Sequence, residues 1–142
     1  MILADNTVMG LGDGGAHVGT ICDASFITYL FTHWGRDRSR GEQIDLPILV
    51  KAQTQDTARA VGLLDRGIIA PGMKADLNVI DFANLKIHAP HMVQDLPAGG
   101  SRLEQTAEGY LATVVNGQVT YENGEATKAL PGRLIRGQQS GA

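Results

Sequence analysis

The sequence predicts an α/β segment followed by an all-β segment. Two observations set that division. Up to about Leu64, one short apolar run leads into a glycine-rich loop and then into stretches with helical spacing. From Asp65 onward, apolar residues fall in short β-rich runs separated by Pro-Gly and Asn-Gly turns. The chain therefore divides into residues 1–64, residues 65–130, and a flexible tail over 131–142.

In chain order, Thr7 to Leu11 reads as a brief buried strand, and Gly12 to Thr20 as loop. A helix follows from about Ala24 to Trp34, with Phe26, Ile27, Leu30, Phe31 and Trp34 on one face. Asp23 suits its N-cap, and Gly35 suits the first position past its end. This aromatic stripe reads as core packing. Arg36 to Glu42, RDRSRGE, has three arginines that could grip an anion, but the adjacent acids Asp37 and Glu42 favour a solvated loop. A second helix starts near Asp45, with Pro47 in its first turn, and runs to about Gln55. A short third helix starts at a Thr54 or Asp56 cap and stops at Gly62.

In the β-rich part, Ala70-Pro71-Gly72-Met73 suits a type II turn. Asp76 to Asp81 alternates as a strand, and Leu85 to His88 forms another. Gln94 to Leu103, around Pro97 and Gly99-Gly100, reads as an extended loop. Tyr110 to Val115 and Gln118 to Tyr121 flank Asn116-Gly117, the strongest short hairpin signal a sequence offers. Asn123-Gly124 makes a second turn.

The totals narrow the function. The chain has 142 residues and a net charge of −3, with no basic excess of the kind nucleic acid requires. Apolar residues make up 43%, enough for a core, but aromatics only 5%, so that core is mostly aliphatic. No run is long and apolar enough to span a membrane. The single cysteine, Cys22, excludes an internal disulfide and fits a reducing, cytoplasmic setting.

The chemistry concentrates in Gly12-Asp13-Gly14-Gly15-Ala16-His17. A strand that ends in a glycine-rich loop with a single acid can present a reactive group at a pocket mouth. Asp13 could act as a general base or a metal ligand, and the bland reading is a turn with a solvated Asp. Gly10 to Gly15 also fits G-x-G-x-x-G, but a dinucleotide site wants a helix directly after the loop and an acid at the end of a second strand. Here the loop runs on through Gly19, and the region some twenty residues later reads as helix. One strand cannot form a sheet. Either the chain oligomerises through Thr7 to Leu11, as a non-catalytic β-rich binding domain would, or it is the end of a longer protein.

These motifs together resemble the C-terminal end of amidohydrolase-superfamily enzymes, most closely the N-acyl-D-amino-acid deacylases. The resemblance is carried by GDGGAH at 12–17, Ile21-Cys22-Asp23-Ala24-Ser25, Thr32-His33-Trp34, Asp65-Arg66-Gly67, PGMKADLNVID at 71–81 and Asp95-Leu96-Pro97-Ala98-Gly99-Gly100. It implies the last strand–helix part of a (β/α)8 barrel followed by part of a small β-sandwich. It implies Asp13 as the catalytic residue, with Gly14, Gly15 and His17 against the substrate. It also implies a zinc ion, to which Asp13 is one conceivable ligand, with an N-acyl-amino acid as substrate and the enzyme's preceding barrel as partner. The family's His-x-His pair is absent: the four histidines are His17, His33, His88 and His91. His88 and His91 are too few for a structural zinc site. His33 reads as a packing or capping residue, and Cys22 as a small buried one. The isolated chain is therefore expected to be inactive and to pair with itself when deprived of its barrel.

Overall fold

The computed structural model describes residues 2–10, 12, 19, 20 and 22–140. Thr7 to Gly10 do not form the expected strand, and Val8 is exposed. An isolated run has no neighbour to complete its ladder, so its apolar residues pack singly: Met9 lies against the core while Val8 faces out.

The first helix covers residues 23–37. It opens with a tight turn, Asp23–Ser25, continues through Phe26–Tyr29, and ends in wide turns over Leu30–Asp37. The Arg38 N–H donates to the His33 carbonyl, five residues back, at 2.9 Å. Asp23 makes no capping bond; it lies inside the first turn. Gly35 does not end the helix either. A Cβ there would come 3.1 Å from Leu49 Cδ1, so the second helix packs closely against Gly35. Thr28, Leu30, Phe31 and Thr32 are buried.

The two further helices expected from sequence are one, over residues 46–60. Thr54 and Asp56 do not cap a new start. Thr54 Oγ1 donates back to the Val50 carbonyl at 2.8 Å, and Asp56 takes an ion pair from Lys51 at 2.7 Å. The helix ends at Gly62 as expected. Gly62 has φ +77°, its N–H reaches the Arg59 carbonyl at 3.0 Å, and the Leu63 N–H reaches the Ala58 carbonyl at 2.8 Å. That pair of bonds is the Schellman closure.

The β part has three antiparallel pieces. Strands β1 (Leu77–Ile80), β6 (Tyr110–Val115), β7 (Gln118–Glu122) and β8 (Glu125–Ala126) form a sheet in the order β1-β6-β7-β8. Strand β2 (Lys86–Ile87) pairs with β5 (Ala107–Glu108), and β3 (His91–Leu96) with β4 (Gly100–Glu104). Asn116 and Gly117 have φ +49° and +79°, and Asn123 and Gly124 +49° and +83°, as type I′ hairpin turns require. The Ala70–Met73 turn closes with Met73 N–H on the Ala70 carbonyl at 3.2 Å and Gly72 at φ +84°.

The expected loop over Gln94 to Leu103 is instead the β3–β4 hairpin. Pro97–Gly99 forms only its tip, and Gly100 already pairs with Leu96. Its walls are joined by Arg102, which donates to both oxygens of Asp95 at 2.9 and 2.7 Å.

Among the described residues the core is one small cluster of Leu30, Phe31, Leu49 and Leu85, ringed by half-buried Trp34, Ile44, Leu46, Ile80, Phe82 and Tyr110. It draws on both sides of residue 65. Polar bonds join the same two parts: Thr28 Oγ1 and Tyr110 Oη lie 2.7 Å apart, and Arg36 donates to the carbonyls of Phe82, Ala83 and Leu85 at 2.5, 3.1 and 2.8 Å. Arg36 is thus neither an anion grip nor a solvated cation. Arg38 likewise stacks on Trp34, 4.5 Å from its ring centre, and donates to the carbonyls of Arg40 and Glu42. From Pro131 the chain is irregular, but the Gln139 N–H donates to the Gly62 carbonyl at 2.8 Å and the Leu64 N–H to the Gln139 carbonyl at 3.1 Å.

Candidate active site

Asp13, Gly14, Gly15 and His17 lie outside the described residues. The residues bordering them are placed. Gly12 sits against the start of the first helix, where a Cβ would come 2.6 Å from the Asp23 carbonyl oxygen and 2.8 Å from Phe26 Cδ1. A side chain at position 12 would displace backbone, so this approach requires glycine.

Asp23 and Phe26 also line a cleft of about 450 Å³ with Cys22, Ser25, Tyr29, Ile87, His88, Ala89 and Gln105. Its polar wall is a short chain of bonds. Ser25 Oγ donates to Gln105 Oε1 at 2.5 Å, and Gln105 Nε2 donates to the His88 carbonyl at 2.9 Å. These bonds tie the helix start to the strands that follow. Ser25 and Gln105 stand eighty positions apart, so no local pattern in the sequence could pair them. Cys22 is half-buried with a free thiol.

The histidines outside the glycine loop are separated. His33 stacks parallel on Tyr29 with ring centres 4.9 Å apart and meets Trp34 edge-on at 5.2 Å, the packing role read from its position. His88 Nε2 faces Glu108 at 3.7 Å, and His91 Nε2 faces Glu104 at 3.6 Å. Among the described residues no three His, Cys, Asp or Glu side chains converge as metal donors. The described residues therefore do not fit a zinc centre, which needs at least three protein ligands.

The residues some twenty positions past Gly12 belong to the first helix, so the described chain offers no second strand for a dinucleotide's ribose. Among the described residues, no helix is long and apolar enough to cross a membrane.

Three carboxylates elsewhere are held low by arginine. Hydrogen bonds from Arg36, Arg66 and Arg102 keep Asp37, Asp65 and Asp95 below the usual carboxylate range. None of these six residues lines the cleft next to Gly12.

A dihydroorotase from Elusimicrobium minutum (strain Pei191) is 30% identical over 88 residues, covering 54% of this chain and 20% of that protein. The chain thus spans about a fifth of the length of this curated relative. No solved structure matches. The amidohydrolase family profile matches residues 1–121, a span that includes the glycine loop, both helices and the strands through most of β7. With most of its length inside that match, the chain belongs to the amidohydrolase family.

Proposed function

We propose that this chain is the C-terminal portion of a zinc-dependent hydrolase that cleaves the N-acyl amide bond of N-acyl-D-amino acids. Its contribution is Asp13, which takes a proton from the attacking water and passes it to the leaving amine. Gly14, Gly15 and His17 border the substrate. The observation that carries this reading is the family match across the segment containing GDGGAH, a loop that leaves Asp13 as its one acid. Because the described donors do not converge, the ligands of the zinc ion belong, in this proposal, to the barrel that precedes the chain.

The surface supports action as part of a larger body. The accessible area is 9967 Å² for 15.1 kDa, whereas a compact monomer of that mass exposes about 7,000 Å².

The test is hydrolysis of N-acetyl-D-amino acids with added zinc, by the chain alone and by the chain joined to its upstream barrel. Dihydroorotate is the competing substrate, because the curated relative is a dihydroorotase. The joined enzyme is expected to prefer the acyl amino acid and to lose a factor of about 10²–10⁴ with Asp13→Asn. Turnover by the isolated chain that Asp13→Asn abolishes would overturn the division of labour.

A second reading, a non-catalytic oligomerisation domain, draws on the exposed Val79, Leu111, Val119 and Tyr121 of the four-stranded sheet and on its open edges at β1 and β8. It requires dimers or larger species by light scattering, and a monodisperse monomer removes it.

A further inference from the structure

A second cleft, of about 570 Å³, lies between the turn preceding β1, the tip of the β6–β7 hairpin and the C-terminal stretch. Its charge runs against that of the chain. The whole molecule carries −3, yet Arg66, Lys74, Arg133 and Arg136 all line this cleft, against the single acid Asp76.

Its floor is built. Arg66 is held by Asp65 at 2.9 and 3.2 Å and by Asp76 at 3.0 Å, and the other Asp76 oxygen accepts the Asn116 N–H at 2.8 Å. Both acids are consumed in fixing Arg66. Lys74, Arg133 and Arg136 form no ion pair among the described residues; Lys74 also acts on the Asp65 carboxylate, while the charges of Arg133 and Arg136 remain for a ligand. The wall bearing the two arginines is anchored by the backbone bonds of Gln139 to Gly62 and Leu64, and Gln139 Nε2 donates to the Arg136 carbonyl at 3.3 Å.

Cations gathered in a walled cleft raise the local concentration of anions. Arginine forks match phosphate oxygens in pairs, and lysine adds a point charge. Leu134 and Ile135 line the same cleft, and its volume is in the range of small-molecule sites, larger than one phosphate needs. We propose that this cleft binds a phosphomonoester, with Lys74, Arg133 and Arg136 on the phosphate and Leu134 and Ile135 against the organic group. The proposal is independent of the hydrolytic reading.

The test is titration of the 142-residue chain with 1-naphthyl phosphate by fluorescence anisotropy, at a constant ionic strength of about 0.15 M. Saturable binding is expected, displaced by inorganic phosphate and weaker by about tenfold or more for 1-naphthol. Arg133→Ala combined with Arg136→Ala is expected to weaken binding about tenfold or more with unchanged circular dichroism. Arg59→Ala, an exposed cation outside the cleft, leaves binding within about twofold. If the double variant loses its fold, Lys74→Met, in the turn preceding β1 that also lines the cleft, reads the same site and is expected to weaken binding severalfold. Absence of saturable binding, equal binding of 1-naphthol, or an equal loss with Arg59→Ala overturns the proposal.

Discussion

At the residue scale, the sharpest constraint falls on a glycine. Gly109 has φ +100°, and a Cβ there would lie 2.7 Å from Leu85 Cα and 3.0 Å from its nitrogen. Leu85 is fully buried in the core, so the backbone cannot retreat from an added methyl. Gly109→Ala combines left-handed strain with overpacking and is expected to cost about 2–4 kcal/mol, read as a lowered denaturation midpoint. Gly124→Ala, where a Cβ meets nothing within 4 Å, bears only the strain of its positive φ and is expected to cost about 1–2 kcal/mol. Equal losses at the two positions would show that packing on Leu85 contributes nothing. Arg36 teaches a related lesson. Its sequence neighbours made it look like a surface cation, but its donors close three carbonyls of a segment more than forty residues away.

At the element scale, a solvent-exposed charged pair joins the two strands of the β3–β4 hairpin. Arg102 holds the Asp95 carboxyl below its ordinary range through two hydrogen bonds. A carboxylate lowered in the folded state contributes stability above the unfolded pKa of about 4 and loses it as the pH falls through the lower folded value. The hairpin is therefore expected to loosen below about pH 4, seen as faster amide exchange at Val93 and Arg102 than in β6. Asp95→Asn is expected to remove that acid dependence, and an unchanged profile would show that the pair does not govern the hairpin. The pair is not legible in the sequence because Pro97, Gly99 and Gly100 read as loop breakers, although Pro97 and Gly99 occupy only the tip and Gly100 already pairs with Leu96. The second helix hid its continuity for a comparable reason. Thr54 and Asp56 are cap-forming residue types, and only the surrounding helix turns Thr54 back onto Val50.

At the scale of the whole molecule, little apolar surface is sequestered. Among the described residues, Leu49 and Leu85 are the large side chains buried completely, while Ile69 and Leu130 are 90% and 94% exposed. A core of that size is marginal for 142 residues. The isolated chain is expected to bind a hydrophobic dye strongly, and the chain joined to an upstream barrel to bind far less per mole. Equal dye binding by both would remove the proposal that a barrel covers this surface.

The sequence by itself determined the local punctuation and the family. Asn116-Gly117, Asn123-Gly124, Pro71-Gly72 and the stop at Gly62 are set by backbone preferences that act within a few residues, so they are legible without partners. The helical face is legible at Leu30 and Phe31 because burial follows a fixed period, but Ile27, expected on that face, is exposed, and Thr28 is buried beside it. Tertiary structure alone decided that Gly35 stays inside a helix, that Ser25 meets Gln105, and that four cations share one cleft. Those outcomes depend on contacts between residues far apart in the chain, whose energies no local propensity contains.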